Sequence, residues 1–370
     1  MAILKQTLTG LLCFISLLSI GQNYYVYIGT YTQKTSEGIY IYQFNAGSGE
    51  FRPIGIAKGN SNPSFLALSP NNDYLYALAG KKGDSVRAYR IDKPKHYLTL
   101  LNAQSLAGSS GACHLAVDKT GRWLIVGNYG SGSLTEIQLQ PDGKLGNVTQ
   151  TITHEGKSVD PERQTKPYVH SINIAPNNKD VFVPDLGTDK IMTYSLNAET
   201  GKLIPGNPAF TMVPPGSGPR HFEFHPNGKF AYVIDEMTAT VTGFKYKEGS
   251  LELIETVNSL PVGYTGRKWA ADIHISPDGK FLYSTNRGDD SLGIFSIDEK
   301  TGKLTFIENQ HVYGKTPRNF AIDPKGNFLL VANQETDNIT IFKRDKKTGK
   351  LTLVEKEIWI SMPVCLKFLK

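Results

Sequence analysis

The chain has 370 residues, of which 39% are hydrophobic, and it includes 36 glycines and 18 tyrosines, a composition suited to short strands joined by tight turns. Its formal charge of +6 is mild, and no Lys/Arg run interleaves with aromatic residues, which argues against a nucleic-acid partner. No segment after the first 22 residues is apolar for long enough to span a membrane, so we expect one soluble domain.

Residues 1–22 have the pattern of an export signal. Lys5 supplies a positive start, and the apolar stretch that follows is too short to cross a bilayer. Ser19 and Gly21 form a small-x-small cleavage pattern at the end of this segment. The alternative, a buried helix, is weaker because nothing else in the chain is patterned as a helix. We therefore predict a signal peptide, a folded domain over 23–370, and a periplasmic or extracellular location.

The rest of the chain repeats one unit made only of strands. The typical unit has an alternating strand, a Pro-x-Gly or Pro-x-Asn turn, two further strands, a polar turn and an outer strand. The turn residues lie 49, 57, 50, 51 and 47 residues apart, at Asn72, Gly121, Asn178, Gly228, Gly279 and Gly326. A strand-only repeat of this length predicts a β-propeller.

Seven units can be assigned in chain order. The six complete units occupy residues 63–106, 112–152, 167–214, 219–260, 270–312 and 317–357. The remaining strands are those of an incomplete first unit, at 24–31, 38–44 and 51–57. This unit lacks an inner strand, which the C-terminal segment 363–368 can supply, and strand pairing between the chain ends would then remove an open edge. The fold class expected is all-β, a seven-bladed β-propeller whose first blade is closed by the C-terminal strand.

Residues 154–166, between the third and fourth units, break this rhythm; we call them the insertion loop. Its charged members are Glu155, Lys157, Asp160, Glu162 and Arg163. A loop of this length in a compact domain is often functional, but a mobile surface insertion is an equally good interpretation.

Of the three cysteines, Cys13 lies in the signal segment, and Cys113 and Cys365 each open an inner strand, but in units that are not neighbours. A disulfide between them is therefore not expected, and both are best interpreted as small core residues. No Cys/His spacing resembles a zinc site, so we predict neither a metal nor a cofactor.

Strand reversal brings two sets of loops to one face of a propeller. The loop that enters the inner strand and the loop between the second and third strands emerge on that face together. The entry positions are Ser64-Phe65, Cys113-His114, His170-Ser171, Arg220-His221, Ala271-Asp272 and Arg318-Asn319. The second set comprises Asn128-Tyr129, Asp185-Leu186, Asp235-Glu236, Asn286-Arg287 and Asn333-Gln334. The sequence therefore predicts a rim rich in ionisable and amide groups.

The rim combines imidazole, guanidinium and carboxylate groups. Arg presents a planar fork to phosphate or carboxylate, and His or Glu can accept a proton from water. This chemistry predicts a site for a polar, anionic small molecule. The candidates for substrate binding are Arg318, His221, Asp185, Asn319, Gln334 and His114.

Structural interpretations compete at several of these positions. The first residue of each second-set pair is an Asn or Asp that can simply form an Asx turn, as at Asp185. Glu236 and Arg287 gain nothing from turn chemistry. His114 and His221 can equally be explained as bonding to backbone across the channel. We expect His225 and His274, further along their strands, to be structural.

Several short runs resemble those of the lactonase-type seven-bladed propellers, a family that includes the propeller 6-phosphogluconolactonases and a fungal carboxy-cis,cis-muconate cyclase. The runs are Tyr27-Ile28-Gly29-Thr30-Tyr31, Pro184-Asp185-Leu186-Gly187, Gly218-Pro219-Arg220-His221, Ser276-Pro277-Asp278-Gly279, Thr285-Asn286-Arg287-Gly288 and Val331-Ala332-Asn333-Gln334. The resemblance covers about residues 24–370. It implies a catalytic set of one His, two Arg and one Glu. The matching residues are His170, Arg220, Glu236 and Arg287, with Arg318 as a competitor for the second Arg.

Three functions are consistent with these residues. The first is hydrolysis of a lactone without a metal, in which Glu236 or His170 takes a proton from water. Arg220 would then stabilise the oxyanion, and Arg287 or Arg318 would hold a substrate carboxylate or phosphate. The second is a lactonising cyclase of the same family, and the third is an exported propeller that binds a ligand or protein without turnover.

The partner expected for the first function is a small anionic lactone, and the expected assembly is a monomer with no membrane contact beyond export. A phosphorylated sugar lactone belongs to cytosolic metabolism, which conflicts with the export signal. The resemblance therefore leaves the identity of the lactone open.

Overall fold

The computed structural model describes residues 22–106 and 108–369. The predicted signal peptide therefore falls outside the described residues, apart from its last position. In the described part of the chain, no helix is long and apolar enough to cross a membrane.

The regular structure of these residues consists of 28 strands. The strands of the first half are β1 (Asn23–Thr30), β2 (Gly38–Asn45), β3 (Phe51–Lys58), β4 (Leu66–Leu68), β5 (Tyr74–Ala79), β6 (Ser85–Asp92), β7 (Tyr97–Ser105), β8 (Ala112–Val117), β9 (Trp123–Asn128), β10 (Ser133–Leu139), β11 (Leu145–Thr153), β12 (Asn173–Ile174), β13 (Asp180–Asp185) and β14 (Lys190–Leu196). Those of the second half are β15 (Leu203–Met212), β16 (Pro219–Phe224), β17 (Phe230–Asp235), β18 (Thr240–Lys247), β19 (Ser250–Asn258), β20 (Ala270–Ile275), β21 (Phe281–Asn286), β22 (Ser291–Ile297), β23 (Leu304–His311), β24 (Pro317–Ile322), β25 (Phe328–Asn333), β26 (Asn338–Arg344), β27 (Leu351–Trp359) and β28 (Pro363–Leu369).

The strands form seven four-stranded sheets, and the all-β, seven-bladed propeller is confirmed. Six sheets use four consecutive strands, such as β16-β17-β18-β19. The seventh has the order β28-β1-β2-β3, so the C-terminal strand closes the first blade as predicted. Its antiparallel register pairs Val26 with Phe368 and Ile28 with Leu366. The chain ends are thereby held together, and the ring has no open gap between its first and last blades.

The burial pattern explains why the second strand of each unit is almost continuously apolar. All six residues of β17 are buried, because this strand lies between the sheets of two neighbouring blades. In the outer strand β19 only Leu251 is buried, and the other residues are exposed or half-buried. The apolar layers between blades therefore stabilise the ring, at roughly 25 cal/mol per Å² of buried apolar surface.

The predicted turn chemistry also holds. Gly228 and Asn178 adopt φ values of 68° and 56°, the left-handed region that these residue types tolerate. At the same end of the molecule, His225 Nε2 lies 2.7 Å from the carbonyl oxygen of Gly279 in the next blade. His225 thus links two turns, which is the structural role expected for it.

Candidate active site

A pocket of about 480 Å³ opens at the face where the two predicted loop sets emerge; we call it the mouth pocket. Its charged lining residues are Lys81, Lys82, Arg163, Glu236, Arg267, Arg287 and Arg318. Six of these side chains are cationic and one is a carboxylate. The pocket therefore has a strongly positive potential, which favours an anionic ligand.

Glu236 lies at the centre of the charged cluster, directly after β17. Its Oε2 accepts hydrogen bonds from Arg220 Nε at 3.1 Å and from Arg287 at 2.8 Å. Its Oε1 accepts a third from Arg163 at 2.5 Å. His170 Nε2 lies 4.0 Å from the same carboxylate. All four residues of the predicted catalytic set are therefore in one cluster.

The strands fix two of these guanidinium groups. Arg220 is the second residue of β16 and is 2% exposed, and it also donates to the carbonyl oxygen of Ala271. Arg287 follows β21 and donates to the carbonyl oxygen of Ala270 at 2.6 Å, whereas its buried Nε has no partner. Both side chains are thus held from the neighbouring inner strand β20. Such buried charges are tolerated only because each has a carboxylate and a carbonyl to bond to.

The cluster keeps Glu236 ionised. Burial opposes the charged form, but Arg287, Arg220 and Arg163 outweigh it and hold the pKa of this carboxyl far below its usual range. Both oxygens of this carboxylate already accept hydrogen bonds from guanidinium groups, and protonation would break those contacts. The geometry therefore makes Glu236 an organiser of guanidinium groups rather than a base.

His170 lines the pocket beside this cluster. Its ring packs edge-to-face on Tyr129, with centroids 5.4 Å apart, and its Nδ1 lies 3.8 Å from Cys113 Sγ. Burial first, and then the nearby Arg220, lower the pKa of His170 well below its ordinary value. The imidazole is therefore neutral at pH 7 and retains a lone pair that can accept a proton.

An aromatic side chain supports the cationic wall of the pocket. Trp269 stacks with two guanidinium groups, those of Arg267 and Arg287. The Cζ atom of each lies 3.9 Å from the centroid of the Trp269 ring. Across the pocket, Arg318 lies over the ring of Tyr31 at 5.5 Å. Stacking on an aromatic face orients a guanidinium without neutralising it, so these groups remain able to bind an anion.

A second polar network fills the channel below the pocket. Asp272 accepts hydrogen bonds from Asn319 Nδ2 at 2.5 Å and from the Phe320 amide at 3.1 Å. His221 Nδ1 lies 2.6 Å and His274 Nε2 3.2 Å from the same carboxylate. Four donors therefore converge on Asp272, which is 2% exposed. Burial, followed by Arg220, lowers the pKa of His221 to about 4 despite its contact with Asp272.

The predicted site residues fall into three groups. Those that line the mouth pocket are His170, Glu236, Arg287 and Arg318. Those that line a small cavity of about 10 Å³ directly beneath it include Arg220 and His221. Those that line neither are His114, Asn319, Asp185 and Gln334.

Three of the four residues outside the pocket have structural partners, whereas the side-chain oxygen of Gln334 is buried without one among the described residues. The Nδ1 of His114 accepts a hydrogen bond from the Ile172 amide at 3.2 Å, which is a bond to the backbone of the adjacent blade and not across the channel. Asn319 Oδ1 accepts the Leu366 amide at 2.7 Å and so helps to seat the closing strand β28. Asp185 is fully buried against His154, which lies at the start of the insertion loop.

The sequence prediction missed several lining residues. Arg163 belongs to the insertion loop, where its charged composition was the available signal. Trp269 and Arg267 lie in the long entry segment before β20, and Lys81 and Lys82 lie between β5 and β6. Among residues 22–106 and 108–369, no group of three or more His, Cys, Asp and Glu side chains is arranged to hold a metal ion.

The closed ring of seven blades and the charged mouth define a propeller with a small-molecule site at one end of its channel. Residues 25–368 match the family described as "Lactonase, 7-bladed beta-propeller". The chain belongs to this family, and the resemblance predicted from its short motifs is confirmed.

Named relatives support the same assignment. The chain is 38% identical over 350 residues to the 6-phosphogluconolactonase of Bacillus subtilis, covering 94% of this chain and 98% of the relative. It is 38% identical over 304 residues to the 6-phosphogluconolactonase of Formosa agariphila, covering 80% and 86%. Its structure is similar to that of the periplasmic gluconolactonase of Pseudomonas aeruginosa, with a TM-score of 0.89, 34% identity and coverage of 94% and 99%.

Proposed function

We propose that the protein hydrolyses a sugar lactone in the mouth pocket without a metal or other cofactor. The observation that carries this proposal is the juxtaposition of a neutral His170 with the Glu236–Arg220–Arg287 cluster in a member of the lactonase family. A proton acceptor beside fixed guanidinium donors is what addition of water to an ester carbonyl requires.

In the proposed reaction, His170 accepts a proton from water as the water oxygen bonds to the lactone carbonyl carbon. The carbonyl becomes an oxyanion, which Arg220 stabilises; such a donor contributes roughly 3–4 kcal/mol to transition-state stabilisation. The ring C–O bond then breaks, and the His170 imidazolium returns its proton to the departing ring oxygen. The product is the open hydroxy acid, which ionises to the carboxylate.

Glu236 has an indirect role in this scheme. Its carboxylate is already shared by three guanidinium groups, so of the two bases considered from sequence His170 is the better supported. At 4.0 Å from His170 Nε2, the negative charge of Glu236 favours the imidazolium that forms during attack. This charge opposes the lowering of the His170 pKa by burial and by Arg220.

The pocket favours a substrate that carries a negative charge. Arg318 and Arg267 line it, and in the described part of the chain neither guanidinium has a carboxylate within ion-pair distance. We propose that Arg318, with Arg287 beside it, holds a phosphate or carboxylate of the lactone. His221 lies beneath and supports the floor of this site.

We also propose that the protein is exported and acts as a monomer. The signal pattern of residues 1–22 and the likeness to a periplasmic gluconolactonase support export. An exported enzyme would meet unphosphorylated aldonolactones, and acidic sugar lactones, more often than phosphorylated ones. Both kinds of substrate therefore belong in the test.

The test is hydrolysis of a lactone panel by the mature protein, followed by pH-stat and corrected for spontaneous ring opening. The panel contains gluconolactone, its 6-phosphate and a lactone with a carboxylate, with Arg220→Ala as the control that removes the oxyanion donor. Turnover that Arg220→Ala abolishes is the expected result. No turnover across the panel would refute the proposal and favour a binding protein, and ring closure in place of ring opening would indicate a cyclase.

A further inference from the structure

The insertion loop is anchored to the fourth blade by two buried carboxylates, Asp185 and Asp189, which lie at the two ends of the turn between β13 and β14. Asp185, at the end of β13, accepts the Tyr168 amide at 2.8 Å and lies 2.7 Å from His154 Nδ1. Tyr194 then bonds the other ring nitrogen of His154 at 2.9 Å. The first residue of the loop is therefore fixed to strands β13 and β14 of the fourth blade.

The second anchor is Asp189, which precedes β14 and is fully buried. It accepts hydrogen bonds from Ser158 Oγ at 2.5 Å and from Gln164 Nε2 at 2.7 Å, both within the insertion loop. It also accepts the amides of Gly216 and Gly218, each at 2.7 Å, in the segment that leads into β16. One carboxylate thus fixes the insertion loop relative to the strand that carries Arg220. The interpretation of the loop as a mobile surface insertion does not fit these contacts.

Arg163 is presented to the pocket by this anchored loop. Asp160 accepts the amides of Glu162 and Arg163 at 2.9 and 2.7 Å, which forms a tight turn just before the arginine. The Arg163 side chain is 37% exposed, whereas those of Arg220 and Arg287 are each 2% exposed. Of the three arginines bonded to Glu236, only Arg163 is partly exposed, so only Arg163 can break its bond without leaving its own guanidinium charge buried and unpaired.

We propose that Arg163 is a substrate-specificity residue that exchanges its bond to Glu236 for a bond to the anionic group of the incoming lactone. In the free protein it neutralises Oε1 of Glu236, while Arg220 and Arg287 both bond to Oε2. When an anion enters, Arg163 turns into the pocket and binds it, and Glu236 keeps its two buried partners.

The exchange explains why one carboxylate in the pocket has three guanidinium partners. The buried Arg220 and Arg287 suffice to hold Glu236, so Arg163 at the entrance is available to bind an anion. Because Arg bonds phosphate and carboxylate bidentately, the exchange selects anionic over uncharged lactones. The kinetic consequences of this inference rest on the proposed hydrolysis. The predicted binding of an anion by Arg163 does not depend on it.

The test compares Arg163→Gln and Arg163→Lys with Arg122→Gln. Arg122 forms an exposed ion pair with Glu199 at 2.9 Å and lines no part of the mouth pocket, so its loss controls for the change in net charge. Affinity for 6-phosphogluconate, an anion that needs no turnover, is measured by titration calorimetry. Kinetic constants are measured on gluconolactone and its 6-phosphate.

We expect Arg163→Gln to weaken 6-phosphogluconate binding at least about tenfold, Arg163→Lys to recover part of the loss, and Arg122→Gln to match the wild type. On the phosphorylated lactone, KM should rise about as much while kcat stays within about threefold. Unchanged affinity in Arg163→Gln, no binding by the wild type, or a fall in kcat at constant KM would overturn the proposal. Lost affinity without any lactone turnover in the wild type would refute the hydrolysis alone.

Discussion

Two buried carboxylates in the channel, Glu236 and Asp272, are both surrounded by donors, but with different consequences. Glu236 shares its cluster with a pocket in which cations outnumber carboxylates. Asp272 lies in a network of matched hydrogen-bond partners, since four donors converge on it and His274 also contacts Glu223. Cations that line a pocket without carboxylate partners indicate a ligand site. A carboxylate whose oxygens are fully hydrogen-bonded by neighbouring side chains and backbone indicates a structural role.

The distinction extends to the histidines. The pKa of His170 is lowered, mainly by burial, so this ring is neutral at the pocket. His274, near the opposite mouth of the channel, has its pKa raised to about 10 by Asp272 and Glu223, which outweigh its burial. One imidazole is thus available to accept a proton, and the other is a fixed cation.

The largest effect on stability is expected from Asp272→Asn. This change removes the charge that faces His221 and His274, and it leaves donors unpaired in a buried network. Breaking such a network typically costs about 3–5 kcal/mol. Chemical denaturation measures the free energy of unfolding, and a loss below about 1 kcal/mol would show that Asp272 is not a scaffold residue.

The largest effect on activity is expected at the mouth pocket. Glu236→Gln and Arg220→Ala should each lower kcat at least about tenfold, because both disturb the guanidinium array around the oxyanion. Glu223→Gln, the matched change at the opposite mouth, should stay within about threefold of the wild type. Full activity in both pocket variants, with circular dichroism showing a folded protein, would contradict the assignment of this site.

A smaller effect is expected from Trp269, which touches two guanidinium groups but no carboxylate. Loss of one such stacking contact costs about 0.5–2 kcal/mol, so Trp269→Ala should raise KM for an anionic lactone by about 2- to 30-fold. Trp269→Phe keeps an aromatic face and should recover most of the affinity. Equal KM values in the two variants would show that stacking does not orient the wall of the pocket.

The smallest effect concerns stability against pH. Because the pKa of His274 is raised in the folded protein, its stabilisation is fully present below about pH 6.5, the pKa of an unfolded histidine. The stabilisation is then lost as the pH rises toward about 10. The difference in unfolding free energy between the wild type and His274→Gln should therefore shrink by at least about 1 kcal/mol between pH 6 and pH 9.5.

Denaturation of both proteins at the two pH values measures this difference. A difference that stays constant or grows with pH would show that His274 is not held as a cation by Asp272 and Glu223.

The fold could be predicted from sequence because its determinants are local. Strand alternation, turn residues with left-handed backbone and a repeat near fifty residues define each blade without knowledge of distant contacts. The closing strand β28 was predictable as well, since its pattern filled the one inner position that the first unit lacked. The rim was predictable to the level of loops, because strand direction decides at which end a loop emerges.

Individual side chains at the rim were less predictable. The pairing of β16 with β17 shifts register between Pro219 and His221, and β24 has the same irregularity between Pro317 and Asn319. A bulge of this kind changes where the following side chains point. Consequently Asn319 lies in the channel network although its neighbour Arg318 lines the pocket.

The insertion loop shows the other limit of sequence analysis. Arg163 reaches Glu236 from an irregular segment whose path is set by Asp185 and Asp189, and no periodic pattern encodes that path. Asp185 occupies the same repeat position as Asp235, which precedes Glu236, yet its partner is His154. Identical positions in different blades therefore diverge wherever a neighbouring loop differs in length.

The central claim is that the chemistry belongs to the mouth pocket and not to the channel network beneath it. The most direct measurement is the initial rate of His170→Gln and His274→Gln, side by side, on a lactone that the wild type hydrolyses at pH 7. Loss of a general base predicts a rate at least about 100-fold lower for His170→Gln, with His274→Gln within about threefold of the wild type. Near-normal activity in His170→Gln, or an equally low rate in folded His274→Gln, would contradict the claim.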